Sequence, residues 1–194
     1  NTATNGSFFA CELSVNANKT LTIAANHFVE VQNDISIDIN GSLDVKDSGS
    51  LIQNDDAAVC RGNAKIVRIS TFMKQYDYAY WSSPVANFAL SSFTPNDVYS
   101  YCFNPTINNW DWNVISSTIM TTAKGYIVRA PENGLTTQKI TTSFFGNPNT
   151  GVIPGSIIRS SSTGFNLIGN PYPCALSADL FLGNALNIAS TIGT

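Results

Sequence analysis

The sequence holds few side chains that could carry out catalysis. His27 is the one histidine of the chain, and its nearest acid along the sequence is Glu30. A catalytic triad needs a histidine held between a nucleophile and an acid, and a histidine on a short strand more often has a structural role. Asp55 and Asp56 are the one adjacent acidic pair, and they follow an apolar segment in a turn-like position. We therefore predict that the chain is not an enzyme and that it has no cofactor and no metal site.

A group of aromatic residues offers a different chemistry. Trp110 and Trp112 are two residues apart, so on a strand they share one face, and Tyr101 lies shortly upstream. Rings presented in this way beside Asn108 and Asn109 can stack on sugar rings. The competing interpretation is that the rings belong to the core, because aromatic residues dominate the cores of β-sandwiches. Carbohydrate binding through Tyr101, Trp110 and Trp112 is therefore the alternative hypothesis for function.

The cysteines permit two interpretations and exclude a third. None of them stands in a C-x-x-C pair, so the sequence does not predict a structural zinc site. In an exported chain they can form disulfides, for which three pairings exist. Equally, they can be buried thiols that pack as small hydrophobic groups. The four residues are Cys11, Cys60, Cys102 and Cys174.

Composition narrows the class of partner. The 194 residues include only 12% charged side chains, and the net charge of −3 argues against nucleic acid as a partner. The aromatic share of 11% argues against a disordered chain. No apolar run approaches the roughly 18 residues that a membrane-spanning helix needs, so we expect no membrane span. A surface built from neutral amides and hydroxyls is typical of a secreted protein.

Residues 1–58 show the clearest periodicity. Apolar residues alternate with polar ones, turn formers such as Asn40-Gly41 separate the runs, and strand starts recur at roughly eight-residue intervals. This pattern predicts an all-β fold that begins with a short β-solenoid-like repeat. The residues predicted to point inward are Leu21, Ile23, Val29, Val31, Ile37, Ile39, Leu43 and Val45.

The rest of the chain is expected to be β-structure of a different kind. We interpret residues 59–80 as connecting strands and residues 81–194 as a β-sandwich-like or jelly-roll-like region, in which regular prolines exclude long helices. Further strands are predicted at 151–158 and 165–168, and one helical turn at 175–182, capped by Ser177. The residues expected to form the core of this region include Tyr78, Tyr80 and Trp81.

Several segments resemble one class of bacterial protein. Segments 78–84, 124–131 and 166–173, together with the repeats of 16–45, are similar to parts of secreted surface proteins of the Bacteroidetes, especially flavobacteria. The resemblance implies export by the type IX secretion system to the cell surface or the extracellular space, and an adhesin-like role. Proteins of this kind continue beyond a segment like 192–194, so we expect residues 81–194 to be truncated at their C-terminal side.

The functional hypothesis is a non-catalytic, secreted structural or adhesive module of the cell surface that assembles end to end. Phe8 and Phe9 form an apolar arm that can complete a sheet in another copy by strand addition. The alternative is that the two residues fold back and cap their own repeat. The expected partners are copies of the same chain, the rest of a larger surface protein and extracellular glycans.

Overall fold

Short β-strands are the main regular structure, and the fold is all-β. The computed structural model describes residues 2–3, 6–93, 99–111, 117–132, 137–159 and 164–183. Within these residues a 3-10 helix, Leu90–Ser92, and an α-helix, α1 (Ala178–Gly183), accompany the strands. In chain order the strands are β1 (Thr2–Ala3), β2 (Phe8–Ala10), β3 (Leu13–Val15), β4 (Thr20–Ile23), β5 (Phe28–Val31), β6 (Ile35–Ile37), β7 (Ser42–Val45), β8 (Ser50–Gln53), β9 (Cys60–Arg61), β10 (Ala64–Ile69), β11 (Tyr78–Trp81), β12 (Ser100–Asn104), β13 (Asn109–Asp111), β14 (Tyr126–Arg129) and β15 (Thr141–Gly146).

The first ten strands stack as three parallel ladders, in which each strand pairs with the strand three places later. The orders are β1-β4-β7-β10, β2-β5-β8 and β3-β6-β9. Leu21 of β4 pairs with Leu43 of β7, and Val29 of β5 pairs with Leu51 of β8, an offset of 22 residues in each case. Three strands within each such repeat confirm the predicted interval of roughly eight residues.

Alternate side chains of these strands share one interior. The structure buries most of the predicted inward residues, with Leu21 half-buried and with Ile23, Val29, Val31, Ile37, Leu43 and Val45 fully inside. The prediction for Ile39 is wrong, because this side chain is 86% exposed. β6 ends before it, and the chain turns: the N–H of Gly41 donates to the carbonyl of Asp38 at 2.8 Å. A turn ends the two-residue periodicity on which the prediction rested.

Asparagine-rich corners join the ladders. Asn18, Asn26, Asn40 and Ser48 all have φ between 61° and 64°, a left-handed conformation that asparagine tolerates better than most residues. The corners also stack on one another. The N–H of Asn18 donates to the carbonyl of Asn40, and that of Asn26 donates to Ser48, each at 3.1 Å. Turn geometry therefore accounts for these asparagines without a ligand.

Residues from the second half of the chain occupy the far end of the parallel ladders. β10 pairs in parallel with β7 on one side and antiparallel with β15 on the other. The N–H of Leu51 donates to the carbonyl of Pro173 at 3.1 Å, and the Asn147 side chain donates to the carbonyl of Cys60 at 2.7 Å. β9 and β10 thus continue the ladders of the first 58 residues, while the three-part division of the chain stays a prediction.

A second, antiparallel sheet has the order β11-β14-β12-β13. One of its faces packs onto an aromatic cluster that includes Phe144 of β15. The ring centres of Trp81 and Phe93 are 4.7 Å apart, and those of Phe88 and Phe144 are 4.6 Å apart. These rings and the interior of the parallel ladders belong to one continuous hydrophobic core. One face of the antiparallel sheet therefore packs against the core that it shares with the ladders.

The C-terminal part contains less regular structure than the sequence predicts. The strands predicted at 151–158 and 165–168 are wrong, since the described residues there form only an isolated bridge between Ile168 and Lys124. The Asn166 side chain instead bonds the N–H and the carbonyl of Ile158, which holds this part as a loop. The predicted helical turn is confirmed as α1, and the Leu180 N–H donates to the Ser177 hydroxyl at 3.3 Å.

Candidate functional site

The outward face of the antiparallel sheet collects aromatic side chains from three strands. Residues directly opposite in an antiparallel pair share a face. Tyr78 is opposite Arg129, Tyr80 and Tyr101 are both opposite Ile127, and Phe103 is opposite Trp110. We call the following set the aromatic face: Tyr78, Tyr80, Tyr101, Phe103, Trp110, Ile127 and Arg129, flanked by Tyr76 and Tyr99.

The burial of this sheet corrects one expectation. Trp81 is 8% exposed and confirms the prediction of a core residue, but Tyr78 is 41% and Tyr80 is 68% exposed. The prediction that these two tyrosines are core is wrong, because neighbouring residues on a strand point to opposite faces. Since Trp81 packs against the core together with Val128 of β14, Tyr78 and Tyr80 must point to solvent.

Rings on the aromatic face contact one another. The ring centres of Tyr78 and Tyr101 are 6.0 Å apart with planes inclined by 47°. Phe103 and Trp110 form an edge-to-face pair at 5.6 Å. Ile127 lies on the same face between β11 and β12 and is buried. Contacts of this kind fix ring positions before any ligand arrives, which lowers the entropic cost of binding.

Arg129 is the last residue of β14 and lies at one end of this face. Its guanidinium carbon lies 3.8 Å from the ring centre of Tyr99 and 5.3 Å from that of Tyr76, which are cation–π distances. The same guanidinium forms an ion pair with Glu132. The arginine side chain is 16% exposed, so its charge is both neutralised and largely covered. Arg129 therefore holds two rings in place rather than presenting a cation to solvent.

The electrostatics of Tyr101 favour a neutral hydroxyl. Partial burial raises the pKa of Tyr101, and the neighbouring Tyr78 hydroxyl adds to the effect. With an ordinary pKa of 10.0 a phenol is already protonated at neutral pH, and its hydroxyl can donate as well as accept a hydrogen bond. A face with tyrosine hydroxyls on aromatic rings offers both apolar contact and hydrogen bonding at the same place.

Two of the three aromatic residues singled out from the sequence lie on this face. Tyr101 and Trp110 are brought together by β12 and β13, whereas Trp112 lies outside the described residues. Sequence reasoning missed Tyr78, Tyr80 and the Arg129 cluster. The alternation of tyrosines before the adjacent Trp81 was the signal that could have found the first two, because one side of β11 had to be outward.

The apolar arm of the sequence lies at the first rung of the parallel ladders. Phe8 is opposite Val29 and packs against the core, while Phe9 is opposite Glu30 and points outward. The Phe9 ring meets the Phe28 ring edge to face at 5.4 Å. Within the chain, β2 pairs in parallel with β5, and strand addition between copies stays a prediction.

Other candidates for chemistry have local structural roles. The His27 ring lies 2.9 Å from the carbonyl of Ala25, and the Asp55 carboxylate accepts the N–H of Ala57 in a turn. The part of the chain that the structure describes holds no group of three or more metal-binding side chains. Among the same residues, no helix has the length and apolar character needed to cross a membrane.

All four cysteines are free thiols. Cys60 and Cys102 are buried and Cys174 is half-buried, in agreement with the interpretation of packed hydrophobic groups. Cys11 differs because it is exposed, and its sulfur accepts the Asn33 side-chain amide at 3.2 Å.

Comparison with known proteins identifies a family. Neither the search of curated proteins nor the search of solved structures gave a match. The family model described as Domain of unknown function (DUF8693) matches residues 1–194, which is the whole of this sequence. The chain therefore belongs to the family of domains of unknown function DUF8693.

Proposed function

We propose that this chain is a non-catalytic, secreted adhesive module of the bacterial cell surface, and that the aromatic face is its contact surface. In this proposal the three parallel ladders are a short β-solenoid, and the region after residue 80 is a β-sandwich-like unit that carries the face. The similarity of segments 78–84, 124–131 and 166–173 to secreted surface proteins of the Bacteroidetes supports the location.

One observation carries the adhesive role, namely that a sheet packed against the core on one face presents several large aromatic rings to solvent on the other. Tyr76, Tyr78, Tyr80 and Tyr99 are all exposed. Contiguous exposed apolar surface on a folded protein commonly marks a contact site. The opposite face of the same sheet packs against the core through Trp81, so the strand that carries Tyr78 and Tyr80 is held in place. Tyrosine, tryptophan and arginine are also the residues that dominate binding energy at contact surfaces.

The test is retention of the purified chain on immobilised surfaces. The panel includes insoluble polysaccharides, mucin, collagen and a neutral hydrophobic film. We expect the wild-type chain to be retained on at least one surface, and the double variant Tyr78→Ala/Tyr80→Ala to lose most of that retention. Phe145→Ala is the matched control, because Phe145 is an exposed aromatic residue on β15, outside the aromatic face. Retention that is absent, or equal in both variants, contradicts the proposal.

A second role, assembly through the start of the ladders, is favoured by a separate observation. β2 and β3 are the outermost strands of their sheets, so one edge of each has no partner strand among the described residues. Such an edge presents backbone N–H and carbonyl groups for pairing with another strand. Since Pro173 and Asn147 fill the opposite end, we propose that two copies meet through their N-terminal ends.

A further inference from the structure

We infer that the aromatic face binds an uncharged polysaccharide. Its sugar rings stack on Tyr78 and Tyr80, and its hydroxyl groups form hydrogen bonds with the tyrosine hydroxyls of the face. This inference rests on the proposed adhesive function and adds the chemical class of the ligand. It follows from the charge, the size and the surface chemistry of the face.

The charge of the face matches an uncharged ligand. Arg129 is the one charged side chain among the residues that form the face, and Glu132 neutralises it. Next to Tyr76, the carboxylate of Asp77 accepts the backbone N–H of Lys74 at 2.7 Å and is turned into its own loop. A polyanion such as nucleic acid needs a row of exposed cations, which the described residues of this face do not supply. A basic polymer would likewise find no row of exposed acids among the residues that define the aromatic face.

The size of the face matches a thin ligand rather than a folded partner. Four strands spaced about 4.8 Å apart span about 14 Å, and three to five residues of strand give a similar length, so the face covers roughly 200 Å². A stable protein–protein interface buries about 800 Å² of accessible surface on each partner, so a folded partner would also have to contact residues well beyond this sheet. A polysaccharide chain lying across the sheet fits the smaller area, because it contacts the protein through only a few sugar rings.

The surface chemistry provides both parts of sugar recognition. A pyranose ring has an apolar C–H face, which stacks on an aromatic ring, and a rim of hydroxyls, which needs hydrogen-bond partners. Tyr78 and Tyr80 stand two residues apart on β11, about 7 Å apart along the strand direction, and Tyr76 flanks them from the preceding turn. The row is open rather than recessed, since Tyr80 is 68% exposed. An open row of rings suits an extended polymer better than a single sugar in a pocket.

Affinity electrophoresis and titration calorimetry test the inference with the full chain. The probes are soluble neutral polysaccharides, namely hydroxyethyl cellulose, xylan, glucomannan and dextran, with polygalacturonate and heparin as charged comparisons. We expect at least one neutral polysaccharide to bind, with an affinity that salt leaves unchanged. Tyr78→Ala and Tyr80→Ala should each weaken binding by about tenfold, the effect expected when one stacked ring is lost.

Control variants separate a lost ring from a lost fold. Tyr80→Phe keeps the ring and should bind within about threefold of wild type, and Phe145→Ala should bind as wild type does. Thermal unfolding of each variant shows whether it is folded. No binding to any neutral polysaccharide, or salt-sensitive binding to the charged polymers alone, overturns the inference. If retention on protein-coated surfaces persists in that case, the adhesive function stands and its ligand is a protein.

Discussion

Tyr80 and Trp81 are neighbours on β11, yet they lie in opposite environments. Tyr80 is largely exposed on the aromatic face, whereas the Trp81 ring lies 4.7 Å from that of Phe93 in the core. The strand therefore uses one side to hold the sheet onto the rest of the molecule. Its other side remains available for contacts outside the chain.

Substituting these two neighbours should affect stability in very different ways. Trp81→Ala removes a large buried ring and should lower the free energy of unfolding by about 3–5 kcal/mol. Tyr80→Ala removes only cross-strand contacts and should cost within about 1 kcal/mol. Urea unfolding followed by circular dichroism measures both. Similar losses in the two variants would mean that Tyr80 is not on an outward face.

A second pair of variants tests the interior of the parallel ladders. Ile37→Asp places an unpaired charge in the core and should lower the free energy of unfolding by at least about 3 kcal/mol. Ile39→Asp is the matched control, because Ile39 is exposed in the following turn, and it should change stability within about 0.5 kcal/mol. The measurement is chemical unfolding at neutral pH. If Ile37→Asp were as stable as wild type, the buried position of Ile37 would be contradicted.

Local periodicity predicted much of the parallel region but not its ends. The two-residue alternation around Val29 and Leu43 depends on neighbouring residues alone, so the sequence shows it directly. The exposure of Ile39 depends on where β6 stops, which a turn decides. The pairing of β10 with β15 joins Ile66 to Phe144 across a long stretch of sequence, and no local pattern encodes such a partner.

The candidate site was predictable only in part, for a similar reason. Sequence spacing correctly placed the tyrosines of β11 on one side of a strand. Which side faces solvent depends on what packs beneath, here Phe93 and Phe144 against Trp81. The cation–π cluster joins Arg129 to Tyr99, which only the tertiary structure brings together. Side-chain type therefore suggested the chemistry, and long-range packing determined the residues.

The stability of the chain should fall at alkaline pH because the buried thiol of Cys60 resists losing its proton in the folded state. Burial raises the pKa of this thiol from 9.0 to about 11. Between these two values the folded chain holds a proton that the unfolded chain has lost. Cys60 therefore contributes stability that is fully present below about pH 9 and is lost as the pH rises towards about 11.

Comparison with a variant isolates this contribution from other groups that titrate in the same range. Between mildly and strongly alkaline buffers, the free energy of unfolding should fall by at most about 3 kcal/mol more in wild type than in Cys60→Ala. Urea unfolding of both proteins in the two buffers measures this difference. Reaction with iodoacetamide gives an independent check. The exposed Cys11 should react before the buried Cys60. An identical pH dependence in the two proteins would show that burial does not hold the Cys60 proton.

Assembly through the N-terminal ends should produce a species of two chains. Among the described residues the edges of β2 and β3 have no partner strand, while the other end of the ladders is filled by residues of the second half of the chain, such as Pro173 on Leu51. Two open edges can pair, but an open edge cannot add to a filled end without displacing it. We therefore expect a mass that rises with concentration and levels off at a dimer. Light scattering after size-exclusion chromatography measures it.

Lysines placed on the open edge strands should prevent this dimer, because charge on an edge opposes strand pairing. Phe9→Lys/Ser14→Lys puts one charge on each edge strand, at two exposed side chains, and should give a monomer at every concentration. Val152→Lys/Ser156→Lys adds the same charge at exposed positions outside the strands and should dimerise as wild type does. A wild-type chain that stays monomeric, or an edge variant that still dimerises, would show that the first rung is not an interface. Growth beyond a dimer would show that the filled end also accepts a partner.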